Sequence, residues 1–208
     1  MSEDFKKTYR ELYSARARPS VVEVPELGFL RIDGVGAPEG EVWSAAVSAL
    51  YTASYAVRAA LKGAGTLVYT VMPLEGLWWP GDGQRYEESD RDRWHWSMMI
   101  MQPPQAGDEL VATALEGAAR KKPGLPLADV RFAPWREGRC AQILHTGPFA
   151  DEPATLERLY AHIAEAGLEI AGKHHEIYLS DFRRAAPERL RTILRYPVAE
   201  AGSTASAR

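Results

Sequence analysis

One order of elements, strand then helix then strand then strand, is written twice along this chain, and that repetition limits the available folds more than any other feature. In the first half, hydrophobic periodicity predicts a strand at about 21–33, a break at Gly34-Val35-Gly36, and a helix from about Glu41 to Lys62. Trp43, Val47, Leu50, Ser54, Val57 and Leu61 recur at alternating steps of four and three, which lays one stripe along that helix. Gly63 and Gly65 stop it. Strands are predicted at about 67–72 and 93–102, separated by the turn-rich Pro80-Gly81-Asp82-Gly83 and a charged loop.

The second half repeats the order: a strand pair around 130–146, the turn Gly147-Pro148, a helix at about 152–167, a strand at 174–180 and a final strand at 191–198. Leu156, Leu159, Tyr160 and Ile163 form the apolar stripe of this helix. Asp151 is placed to cap it, and Pro153 sits where a missing amide hydrogen is tolerated. A further helix at about 108–121, with Leu110, Val111, Ala114, Leu115 and Ala118 on one face, joins the halves after Pro103-Pro104. The expected fold is therefore α+β, a single domain over 1–208 made of two β-α-β-β pseudo-repeats at about 20–102 and 128–198. Their strands form a mainly antiparallel sheet with helices on one face. The other face is left for a ligand groove, since repeat junctions are favoured places for small molecules.

Composition removes several classes of function. A chain of 208 residues with 46% hydrophobic content can bury a substantial core, and a net charge of −3 gives no electrostatic reason to expect nucleic acid. Arg183, Arg184, Arg189, Arg191 and Arg195 cluster late, but Asp181 and Glu188 lie among them, which predicts a solvated or salt-bridged face. The single cysteine, Cys140, excludes an internal disulfide and a cysteine-rich zinc site, and it fits the cytoplasm. Met1 to Leu12 is charged throughout and unlike a secretory leader, and no run approaches the ~20 apolar residues that cross a bilayer. Residues 199–208 are expected to fray.

Candidate chemistry centres on His174-His175-Glu176-Ile177-Tyr178-Leu179-Ser180-Asp181, strand-like residues that surround one carboxylate with apolar and aromatic neighbours. Strand alternation puts His175, Ile177 and Leu179 on one side, which reads as core, and His174, Glu176 and Tyr178 on the other, which reads as a site. A buried carboxylate there either pairs with Arg or Lys, takes up a proton, or meets a ligand that supplies the missing charge. Trp94, Trp96, Met98 and Ile100 share one strand face in the other half, and Trp135 is a further aromatic candidate. Aromatic and thioether groups suit flat or cationic ligands, although the same residues also serve as core anchors. His174 and His175 point to opposite faces and cannot share a metal, so no metal is predicted. Gly34-Val35-Gly36 is too short for a dinucleotide fingerprint and no phosphate loop is present, so no cofactor is expected. Cys140, beside Ala141 and Ile143, reads as packing.

Several stretches carry a family resemblance: Gln142-Ile143-Leu144-His145-Thr146-Gly147-Pro148-Phe149, then Asp151-Glu152-Pro153-Ala154-Thr155, then the Lys173 to Asp181 strand, and the ending Ala186-Pro187-Glu188-Arg189-Leu190-Arg191-Thr192-Ile193-Leu194-Arg195. With Pro73-Leu74-Glu75-Gly76-Leu77-Trp78-Trp79, the chain resembles the stand-alone branch of the GyrI-like small-molecule-binding family over most of its length. The resemblance implies a duplicated β-α-β-β fold of the SHS2 type that holds one hydrophobic, often cationic ligand of the multidrug kind, for sensing or sequestration. Glu176 would then meet the ligand's charge, with Tyr178, Trp94, Trp96 and Trp135 as aromatic surfaces. The chain departs from the transcription activators of that family in having no helix-turn-helix ahead of the domain. Other stand-alone relatives hydrolyse cyclopropane-bearing DNA-alkylating natural products, which implies an alternative role. In it Glu176 activates water and Glu152, or a tyrosine such as Tyr178, is the second acid.

Overall fold

The computed structural model describes residues 2–38, 40–80 and 90–202. In chain order the elements are α1 (Phe5–Thr8), α2 (Arg10–Tyr13), β1 (Ser20–Val35), α3 (Glu41–Gly63), β2 (Leu74–Pro80), β3 (Trp94–Gln102), α4 (Asp108–Lys121), β4 (Arg131–Thr146), α5 (Glu152–Glu165), β5 (Leu168–Ile170), β6 (His174–Tyr178) and β7 (Arg191–Glu200). The mixed helix-and-sheet class with mainly antiparallel pairing is as expected. The predicted turn at Gly81–Gly83 and its charged loop lie outside the described residues, as do 203–208 of the tail. Two compact units are present. One takes the residues up to Thr8 with Leu27–Trp135, and the other takes Tyr9–Glu26 with the residues from Arg136 onward.

In the first unit β3 is the middle strand. It pairs antiparallel with β1 from Gly28 opposite Gln102 to Val35 opposite His95, and with β2 from Leu74 opposite Ile100 to Pro80 opposite Trp94. The even-numbered face of β3 meets α3, because Gln102 Nε2 donates to Ser54 Oγ at 3.2 Å. Trp96 lies across the backbone of Gly34, its cross-strand partner, and a Cβ at that glycine would fall inside the indole. Trp43, Val47, Leu50, Ser54, Val57 and Leu61, the stripe read from sequence, are all buried along α3. The strand expected at 67–72 is not in the sheet. Its Tyr69 bridges Glu3 and gives its carbonyl oxygen to Arg58 Nε at 2.6 Å, and the sheet strand is β2, whose first five residues are all buried. Burial on both faces removes the alternation that marks a strand in sequence.

In the second unit β7 is central. It pairs antiparallel with β4 on one side, from Cys140 opposite Pro197 to Thr146 opposite Arg191, and with β6 from His175 opposite Arg195 to Tyr178 opposite Thr192. The expected strand pair around 130–146 is thus one long strand, β4. β5 continues the β6 edge after a bulge: Ile170 to His175 takes five steps while Val198 to Arg195 takes three, so two extra residues are accommodated. Ala141 and Ile143 of β4, Leu168 of β5 and Leu194, Tyr196 and Val198 of β7 pack under Leu156, Leu159 and Ile163 of α5. The opposite face carries Gln142 and Arg195, which reach the carbonyl oxygens of Glu11 and Leu12. The amino-terminal segment therefore lies across the face that α5 leaves bare. No described helix is long and apolar enough to cross a membrane.

Candidate functional site

Glu176 stands opposite Leu194, and Leu194 packs under α5, so His174, Glu176 and Tyr178 share the side of β6 that the helix covers. His174 Nε2 is 3.1 Å from Glu176 Oε1, and the two side chains are 1% and 5% exposed. The His174 ring also packs on Tyr196 with centroids 4.9 Å apart.

Glu152 comes to the same place from the first turn of α5, where an acidic residue suits the helix dipole. The turn that delivers it is anchored by His145 and by Gly147, whose φ of 129° a side chain would resist. Pro148 O can only accept, so His145 Nε2 donates to it at 3.0 Å, and Nδ1 is within hydrogen-bond distance of Thr155 Oγ1 at 2.9 Å. The His-x-Gly-Pro motif is thus a clamp between β4 and α5. One ligand-capable atom from each of Glu152, His174 and Glu176 lies within 4.8 Å of the others, and all three residues are buried.

An aromatic wall adjoins these groups. Phe149, Tyr178 and Phe182 form a triangle of edge-on contacts, with centroids 6.0 Å apart for Phe149 and Tyr178, 5.9 Å for Tyr178 and Phe182, and 6.4 Å for Phe149 and Phe182. Such a set of groups can exchange protons with a neutral ligand, match a cation beside aromatic rings, or close on a divalent metal ion.

Of the residues singled out from sequence, Glu176, Glu152 and Tyr178 come together here, in the second unit. Trp94 and Trp96 are buried on the α3 side of the first unit, where Trp94 meets Trp78 edge-on at 5.8 Å. Trp135 is on the other side of that sheet, 5.7 Å from Phe29 and under the guanidinium of Arg31. Burial pushes the Cys140 thiol up, in keeping with a packing role.

The side of β6 expected to be core is buried at His175 and Ile177, and a buried ion pair lies within it. His175 Nδ1 lies 2.9 Å from Glu137 Oε1, and Arg195 Nη1 donates to Glu137 Oε2 at 3.2 Å. Burial alone would raise the Glu137 carboxyl, but His175 and Arg195 outweigh it and hold the group below its ordinary value. Sequence reasoning placed His174 on the site face of β6 without giving it a chemical role, and it gave none to Phe149 or Phe182. The two-residue spacing from Glu176 marks His174 and the turn motif contains Phe149, whereas Phe182 lies in a loop with no periodicity to reveal it.

A model of the GyrI-like small molecule binding domain matches residues 17–199. The chain belongs to the GyrI-like family. Two solved structures from Listeria innocua are similar to this GyrI-like chain. One, described as an uncharacterized conserved protein, is 38% identical, with 94% of this chain and 99% of that one covered and a TM-score of 0.88. The other, described as a hydrolase, is 36% identical, with 96% and 100% covered and a TM-score of 0.87. The EcmrR C-terminal domain shares the fold at 10% identity, with 88% and 98% covered and a TM-score of 0.54. Comparison with curated proteins gave no match.

Proposed function

We propose that this GyrI-like protein is a hydrolase that adds water to hydrophobic, aromatic electrophiles of the cyclopropane-bearing class. The observation that carries the reading is the approach of Glu152, His174 and Glu176 to within 4.8 Å, all of them buried. The hydrolase from Listeria innocua, 36% identical over its full length, supports chemistry rather than binding alone. The lone reduced cysteine supports a cytoplasmic setting.

Glu176 is the general base and Glu152 the general acid. Glu176 takes a proton from water as the water oxygen bonds to a ring methylene carbon. The strained carbon–carbon bond breaks, its electron pair passes into a conjugated carbonyl, and that oxygen takes the proton of the Glu152 carboxyl. One water is added overall. Two carboxyl groups in different surroundings can divide these roles, and Phe149, Tyr178 and Phe182 offer the flat apolar contact such a substrate needs.

The aromatic triangle beside two carboxyl groups also favours a second reading, the holding of lipophilic cations for sensing or sequestration. Incubation with a cyclopropane-fused cyclohexadienone separates the two. The hydrolase gives a product heavier by one water in the mass spectrum, and Glu176→Gln and Glu152→Gln each lower turnover by about 100-fold or more. Binding of a lipophilic cationic dye, with no product from the dienone, replaces the first reading with the second.

A further inference from the structure

Three histidines are buried in the second unit, and two have plain structural duties. His145 clamps the turn before α5, and His175 holds Glu137. His174 does neither, and its Nε2 points at the carboxylate assigned as the base. Its ring is braced by Tyr196, directly opposite on β7, and the Tyr196 hydroxyl is itself 3.1 Å from that of Tyr160 on α5. The imidazole therefore has little freedom to turn away from Glu176. Glu152 faces the same two groups from α5.

Resting on the hydrolytic reading above, we infer that His174 is a positioning residue that fixes the Glu176 carboxylate for attack on water. Donation from Nε2 to Oε1 holds the plane of the carboxylate in the orientation that attack on water requires. A hydrogen bond to an ionised acceptor is among the stronger ones, and proton transfer is sensitive to small misplacements of the base. His174 does not touch the substrate in this scheme; it acts through Glu176.

The test compares His174→Gln, whose amide nitrogen falls near the site of Nε2, with His174→Leu, which has no donor. The substrate is the cyclopropane-fused dienone, with kcat and KM measured separately and melting temperature as a control on folding. His174→Leu is expected to lose about 10–100-fold in kcat with KM within about twofold, and His174→Gln to stay within about threefold of wild type. A fast His174→Leu enzyme, or a folded His174→Gln enzyme as slow as His174→Leu, overturns the positioning role while an inactive Glu176→Gln leaves the hydrolytic reading standing. A wild-type protein that forms no product overturns both. Should His174→Leu fail to fold, His174→Asn takes its place, since its shorter amide cannot reach Oε1 and must be slow. Loss of wild-type activity on chelation, restored by added divalent metal, would make His174 a ligand and sink the hydrogen-bond role.

Discussion

Arg195 donates Nη2 to the carbonyl oxygen of Leu12, 183 residues earlier in the chain, at 2.6 Å. Its Nε and Nη2 also reach Gln142 Oε1 at 3.1 and 2.8 Å, while Nη1 reaches Glu137. A fully enclosed guanidinium thus ties the amino-terminal segment to the middle of the second sheet.

Removing its counter-charge should be costly. Glu137→Gln leaves Arg195 buried without a carboxylate, and a loss of about 3–5 kcal/mol is expected in urea denaturation. The pH dependence follows in sign. The folded Glu137 carboxyl lies below its unfolded value of about 4.3, so its contribution is fully present above that pH and is lost as pH falls through the lower, folded value. Glu137→Gln should flatten the acid side of the stability curve; an unchanged acid limb would show that the ion pair carries no net stability.

Gly34 is occupied from above by the Trp96 indole, so Gly34→Ala must displace either the ring or the strand. A destabilisation of about 1–3 kcal/mol is expected from overpacking, accompanied by a shift in tryptophan emission. Equal stability would mean that β1 and β3 can separate at this point without loss.

Phe182 is partly exposed and reaches Tyr178 from the loop between β6 and β7. Phe182→Ala should weaken an aromatic ligand by about 0.5–1.5 kcal/mol while leaving an aliphatic ligand of similar size much less affected, as read by calorimetry. Equal losses for both would assign Phe182 to the support of the loop rather than to ligand contact.

Periodicity made the three longer helices and most of the sheet legible in the amino acids, but not the four-residue α1 and α2. The Trp43-to-Leu61 stripe located α3, and the Leu156-to-Ile163 stripe located α5. β2 was misplaced because Leu74 to Trp78 is buried on both faces and shows no alternation. The faces of β6 were separated correctly and the His175–Ile177 side is core, but neither the buried pairing of His175 with Glu137 nor the cover of α5 over Glu176 could be read from alternation. Alternation tells which side chains travel together and carries no information on what covers them. The arginine run was read as one face, yet Arg183 and Arg184 meet exposed Asp181 while Arg195 is enclosed, since burial there is set by Leu12 and Gln142, far away in sequence.

The second unit is completed by residues at the opposite end of the chain, Tyr9–Glu26. During translation that segment leaves the ribosome first and must wait through more than a hundred residues before Arg195 exists to receive it. Pairings of such long reach form late and slowly. Cutting the gene after Trp135 would accordingly yield a carboxy-terminal piece that lacks Tyr9–Glu26, one of the walls of its own unit.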